Sequence, residues 1–132
     1  MIVADTNLIV YLFIAGDQTM LAQKVLVKDP YWIVPPLWRS EFENVLAAHI
    51  RRGMSLIEAK RIMEDAVETL ENRQIVPSYG SVLELIAESD CTAYDCEFVS
   101  LAKQLSIQLV TADRQLWKEF PGCAISLEDF LK

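Results

Sequence analysis

The sequence predicts an α/β fold in which a short-stranded, mainly parallel sheet is covered by helices on both faces. Three observations carry that expectation. Short apolar runs recur along the chain and stop abruptly at polar or Pro residues, which suits buried strands of a parallel sheet. Longer amphipathic stretches with capping residues alternate with them, the pattern of strand–helix units. The chain has 132 residues, is 52% hydrophobic and contains only 4 Gly and 5 Pro. That suffices for one domain over residues 1–132, burying roughly two-thirds of its unfolded surface without a disulfide or structural metal.

Ile2-Val3-Ala4 is a strand ending at Asp5. Asn7 to Ala15 reads as a helix stopped by Gly16, and Thr19 to Lys28 as a second helix. Asp29-Pro30 turns the chain into the strand Trp32-Ile33-Val34, which Pro35-Pro36 ends. Pro36 to Arg52 is helical, with Pro in the first turn and Gly53 beyond the last. Ser55 caps a helix reaching Asn72, and Glu58 completes a capping box. Gln74-Ile75-Val76 is a short strand, and Ser81 to Ser89 a helix. Thr92 caps the helix Ala93–Leu105, and Ile107 to Thr111 is the clearest strand. Asp113 caps a short helix to Phe120, Cys123-Ala124-Ile125 is a last strand, and Ser126 caps a final helical turn. No repeat, low-complexity segment or linker interrupts the series.

Lys and Arg number 12 and Asp and Glu 19, a formal charge of −7. A broadly basic grip on duplex nucleic acid is excluded, as is an intrinsically disordered chain. The three cysteines, Cys91, Cys96 and Cys123, are expected to be free buried thiols. With no CxxC pair and His49 the only histidine, a zinc site is not expected. The N-terminus lacks a basic region, and the longest apolar run, Leu8 to Gly16, falls short of the roughly 18 residues of a membrane span. A cytoplasmic protein without membrane contact is the expectation.

Function is carried by acids in positions that should be apolar. At about 100° per residue, the buried stripe of the Pro36–Arg52 helix is Trp38, Phe42, Val45 and Leu46. Glu41 falls inside it with Asn44 at its edge, while Glu43 points to solvent. On the Ala93–Leu105 helix the apolar face carries Tyr94, Phe98, Ala102 and Leu105, with Val99 and Asp95 at one margin and Glu97 and Gln104 pointing outward. Asp5 and Asp113 each follow a strand, and in a parallel sheet both lie at the carboxyl edge where ligands gather. Taken singly, Asp5 and Asp113 also suit helix N-caps, Asp95 a capping box with Thr92, and Glu41 an ion pair with Arg39 or Arg52. Those readings do not account for four acids at one edge. Four carboxylates at one point repel unless cations neutralise them, and oxygen-only ligands favour Mg²⁺ or Mn²⁺. Such a site suits phosphate chemistry.

Four blocks together carry a resemblance: Ile2-Val3-Ala4-Asp5-Thr6-Asn7; Pro35-Pro36-Leu37-Trp38-Arg39-Ser40-Glu41-Phe42-Glu43-Asn44-Val45-Leu46; Thr92-Ala93-Tyr94-Asp95-Cys96-Glu97-Phe98-Val99-Ser100-Leu101-Ala102; and Leu109-Val110-Thr111-Ala112-Asp113-Arg114. In this order and spacing the chain resembles the PIN-domain ribonucleases, most closely the VapC toxins of bacterial toxin–antitoxin pairs. The resemblance implies a three-layer α/β/α sandwich that cleaves RNA with Mg²⁺ or Mn²⁺, dimerises, and is held inactive by a cognate antitoxin. It maps the family's acidic quartet onto Asp5, Glu41, Asp95 and Asp113. The paired helices Pro36–Arg52 and Ser55–Asn72 match the family's helical clip, where partners bind.

Asp5 and Asp95 are then expected to be direct metal ligands, Glu41 to ligate a second ion or orient water, and Asp113 to act through water. Thr6, Asn7 and Thr111 are expected to hydrogen-bond the carboxylates or a phosphate. Arg39, Arg52 and Arg61 are candidates to hold the RNA backbone, beside Arg51 and Lys60, which suit a solvated helix end. Trp32, Trp38 and Trp117 are candidates for base stacking, the last two fitting the core better. The first and clip helices offer apolar surface for a dimer. Three other readings compete. An aspartyl-nucleophile phosphatase needs a second Asp at the position of Asn7. A receiver-like signalling domain leaves Glu41 unused. A catalytically silent PIN-like scaffold does not need four intact acids.

Overall fold

The computed structural model describes all 132 residues. Four strands, β1 (Ile2–Ala4), β2 (Trp32–Ile33), β3 (Leu109–Val110) and β4 (Ala124–Ile125), form one sheet in the order β2-β1-β3-β4. Every pairing is parallel, with Val3 opposite Ile33 on one side and Leu109 on the other. The helices are α1 (Thr6–Phe13), α2 (Thr19–Lys28), α3 (Trp38–Arg51), α4 (Leu56–Leu70), α5 (Tyr79–Glu88), α6 (Ala93–Leu105), α7 (Arg114–Glu119) and α8 (Leu127–Phe130), with a 3₁₀ turn at Glu71–Arg73.

Strand pleating divides the core into two apolar layers. Ile2, Ala4, Trp32 and Val110 point to the face covered by α1, α2, α3, α4 and α8. Val3, Ile33, Leu109 and Ala124 point to the face covered by α5, α6 and α7. This is the three-layer α/β/α sandwich expected from the alternating pattern. The three tryptophans belong to these layers and not to a base-stacking surface. Trp32 and Trp38 are fully buried, and Trp117 is partly buried with its indole N–H donating to the Thr111 carbonyl at 2.8 Å.

The caps fall where the side chains promise them. Ser55, Thr92, Asp113 and Ser126 each accept a backbone N–H of the first turn that follows. Gly53 has φ +117°, the conformation that turns the chain after α3 without a Cβ penalty. Some boundaries move. The first helix runs Thr6–Phe13 and ends before Gly16; α3 starts at Trp38 because Pro35 and Pro36 form its entry turn. The stretch Gln74–Val76 contributes a single parallel bridge, Val34 to Gln74, and no strand. The helix expected from Ser81 begins at Tyr79, capped by Ser78.

One expectation about a helix face needs correction. Tyr94 is 59% exposed, whereas Cys96, Phe98, Val99, Leu101 and Ala102 are buried. Because α6 is clasped between the sheet and α5, its buried face is broader than one stripe and rotated away from Tyr94. Helix α1 packs against α2, α3 and α4 and leaves Val10, Tyr11, Leu12 and Phe13 half-buried. The exposed large apolar side chains include Ile50, Leu56 and Ile57 at the α3–α4 tip, Val76 before α5, and Tyr79 and Leu83 on it. No helix is long and apolar enough to cross a membrane, and all three cysteines are free.

These layers predict a contrast between two leucines on adjacent helices. Leu101→Ala, in the buried layer under β1 and β3, should cost about 2–5 kcal/mol in urea unfolding. Leu83→Ala, at an exposed position, should stay within about 0.5 kcal/mol. Equal losses would contradict the assignment of α6 to the core.

Candidate active site

The chain leaves β1 to build β2 on one side of it, and later places β3 and β4 on the other. The carboxyl ends of β1 and β3 therefore flank a topological switch point, where an open parallel sheet leaves a crevice. Asp5 is the residue after β1. Its N–H donates to the Val110 carbonyl at 3.3 Å, and its carboxylate accepts a hydrogen bond from the Thr111 hydroxyl just beyond β3. Although Asp5 occupies the N-cap position of α1, its side chain makes no capping bond. The carboxylate is buried at 8% exposure and aimed at the neighbouring strand end.

Glu41 is half-buried in the first turn of α3. It forms no ion pair: the only salt bridges in the molecule are the N-terminal amine with Asp29 and Lys132 with Asp129. The Thr6 hydroxyl donates to its Oε1 at 2.6 Å, tying α3 to the start of α1. Asp95, in the first turn of α6, has its N–H held by the Thr92 hydroxyl at 3.1 Å. Asp113 caps α7 through the Gln115 N–H at 2.9 Å, and its own N–H donates to Thr111 Oγ1 at 3.0 Å. Asp95 and Asp113 thus do serve helix starts, while Asp5 and Glu41 have no such employment.

Asp5, Glu41 and Asp95 each feel a neighbouring acid as a like charge. Burial pushes the Asp5 carboxyl up to about 6, against the pull of hydrogen bonds from Thr111 and the Thr6 backbone, with Asp95 and Glu41 pushing the same way as burial. Burial also raises Glu41, partly offset by Thr6, with Asp95 adding to the rise. Burial and then the Asp113 charge raise Asp95. A fifth acid joins them. Glu97, expected to point to solvent, is half-buried, and burial followed by the Glu41 charge raises it. Which helix lies opposite Glu97 depends on how α6 meets α3, and a helical wheel of α6 alone does not contain that.

Thr6 and Thr111 make the expected bonds to carboxylates. The Asn7 side chain makes none and is exposed. Arg39, Arg52 and Arg61 are exposed on α3, its C-cap and α4. None of them lines the open recess of about 450 Å³ beside Glu41, whose walls are Leu37, Ser40, Glu41, Asn44 and Tyr94. The donor set is all oxygen, acidic and without a neutralising cation, which is the chemistry that holds hard divalent ions. As the side chains stand, no three of the acids are drawn closely enough together to share one ion.

The raised Asp5 carboxyl has a consequence for stability. The folded state holds a proton that the unfolded chain releases at the ordinary value of 3.8. The stability linked to this proton is full below about pH 4 and lost as pH rises through about 6. In chelator-containing buffer at pH 7.5, Asp5→Asn should therefore be more stable than the wild type by roughly 2–3 kcal/mol, with the gap closing by pH 4 in chemical denaturation. An Asp5→Asn protein no more stable than wild type at pH 7.5 would contradict the burial of this charge.

Three kinds of likeness accompany this geometry. Ribonuclease VapC3 of Pyrobaculum aerophilum is 30% identical over 126 residues, covering 92% of this chain and 95% of that protein. A crystal structure from Pyrobaculum aerophilum superposes with TM-score 0.77 at 22% identity, over 98% of this chain and 92% of its own. FitAcB from Neisseria gonorrhoeae gives TM-score 0.76 at 13% identity, over 97% and 99%. A toxin–antitoxin complex from Klebsiella pneumoniae gives 0.71 at 18%, over 96% and 98%. At those identities the solved structures speak for the shared fold. The family model of the PIN domain matches residues 2–121, the span that contains all four strand-end and helix-start acids, and the chain belongs to the PIN-domain family.

Proposed function

We propose that this protein is a metal-dependent endoribonuclease, using Mg²⁺ or Mn²⁺, and the toxin of a toxin–antitoxin pair. One observation supports the reading: acids from four separate segments lie near enough around the switch point of a parallel sheet to act on one another as charges, with no Lys, Arg or His paired to them. The likeness to Ribonuclease VapC3 supports the substrate class, and the likeness to a toxin–antitoxin complex supports the partner.

Asp5 and Asp95 are the residues that would hold the cation, with Glu41 and Asp113 completing the acidic ring. A divalent cation there would polarise a phosphoryl oxygen and make a water more acidic. The chain's own groups do the positioning. The Thr111 hydroxyl, just beyond the end of β3, donates to Asp5 Oδ2 and fixes that carboxylate. Thr6 holds Oε1 of Glu41 in the same way, so that Glu41 Oε2 is available to accept a proton from an attacking water. Asp113, anchored through Thr111 and Gln115, adds negative charge that favours a cation over a bare phosphate. The partner we assign is an antitoxin with a basic segment, seated on the α3–α4 clip and reaching the acids. A homodimer would cover exposed apolar side chains such as Tyr79 and Leu83.

Purified protein should cleave labelled single-stranded RNA with Mn²⁺ or Mg²⁺ and stop when chelator is added. Asp5→Asn, folded by circular dichroism, should lose at least about 10²-fold in rate, the scale of removing one charged group from the transition-state environment. Thr111→Val should lose less, because it removes a support and leaves the carboxylate. Full activity of folded Asp5→Asn, or cleavage indifferent to chelator, overturns the proposal.

A further inference from the structure

We infer that the recess between α3 and α6 is a nucleobase pocket beside the acids, with Tyr94 as its stacking platform and Asn44 as the group that reads the base edge. The inference rests on the ribonuclease reading and extends it to how the RNA is recognised.

The recess is built from two helix starts. Leu37, Ser40, Glu41 and Asn44 follow at i, i+3, i+4 and i+7, one continuous face at the beginning of α3. Tyr94, in the first turn of α6, forms the opposing wall. At about 450 Å³ the space is of small-ligand size. Its composition suits a base. Tyr94 is a large aromatic left exposed immediately before Asp95, while all three tryptophans are committed to the core. Leu37 supplies an apolar contact, and the Asn44 amide and Ser40 hydroxyl supply donors and acceptors for a base edge. Glu41 shares the wall, so a base held here places its neighbouring phosphate at the acidic edge.

Charge argues for the same mode. No Lys or Arg lines the recess, and the whole chain carries −7, so the backbone is not gripped there by cations. Stacking is the remaining sequence-tolerant source of affinity for RNA. It requires unpaired bases that can be splayed out, which assigns the pocket to single-stranded segments and not to a duplex. A base stacked equally in substrate and transition state lowers KM and leaves kcat alone.

The test measures Mn²⁺-dependent cleavage of short labelled single-stranded oligoribonucleotides by the full chain and by Tyr94→Ala, Tyr94→Phe and Asn44→Ala. In parallel, anisotropy measures binding of the same oligonucleotides to Asp5→Asn with and without Tyr94→Ala. Tyr94→Ala should raise KM and weaken binding about tenfold to a hundredfold with kcat changed by less than about threefold. Tyr94→Phe should restore both, and Asn44→Ala should alter the base preferred next to the cleaved bond. Unchanged KM, binding and base preference in an active Tyr94→Ala protein overturn the pocket. So does a Tyr94→Ala effect confined to capture of a protein partner. Oligonucleotide binding that depends on Tyr94 in a wild-type chain that cleaves nothing keeps the pocket and overturns the ribonuclease reading instead.

Discussion

Burial of like-charged carboxylates at the open end of the sheet is the constraint on which this site depends. Asp5, Glu41 and Asp95 are each pushed toward the protonated form by burial and by one or more of the other acids. Hydrogen bonds from Thr6, Thr92 and Thr111 offset only part of it, and no basic side chain is paired with any of the four. A fold tolerates such a cost when the rest of the structure over-determines the arrangement. Here the determinants are specific. The parallel register that sets Ala4 opposite Val110 brings Asp5 to Thr111. The Pro35-Pro36 turn fixes where α3 begins and hence where Glu41 stands. The Thr92 cap fixes the first turn of α6 and hence Asp95.

The same arrangement reconciles an acidic chain with a polyanionic substrate. A net charge of −7 rules out long-range attraction of RNA and any tight, sequence-blind hold on a duplex. In the proposed function, a cation at the acidic edge would offset the local part of that repulsion. Uncharged stacking beside Tyr94 supplies affinity without adding charge, and its position next to Asp95 ties recognition of the base to the site of chemistry.

Much of this was legible in the residues because it is local. Asp5 and Asp113 announce themselves by ending apolar runs, and Thr92, Ser55 and Ser126 by standing at capping distance from the turns they start. Helices α2 and α6 have the limits their sequences suggest. What was not legible depends on packing between elements. That the Asp5 side chain declines its N-cap bond is decided by Thr111, 106 residues away. Glu97 looks solvent-facing on α6 alone, yet it is half-buried and feels the charge of Glu41 on α3. Tyr94 looks apolar-faced and is exposed because α6 is wrapped by both α5 and the sheet. The Gln74–Val76 run has strand composition, yet at the sheet's outer edge, just before Pro77, it secures only one bridge.

The central claim of the proposed function is that these carboxylates bind a divalent cation. Calorimetric titration of Mn²⁺ into the purified protein at pH 6, repeated in buffers of different ionisation enthalpy, tests it directly. With Asp5 held near its midpoint at about 6, binding should release protons, so the observed heat should vary with the buffer. Asp5→Asn should bind more weakly and release fewer. Absence of binding at millimolar Mn²⁺, or binding that releases no protons and is indifferent to Asp5, would contradict the account.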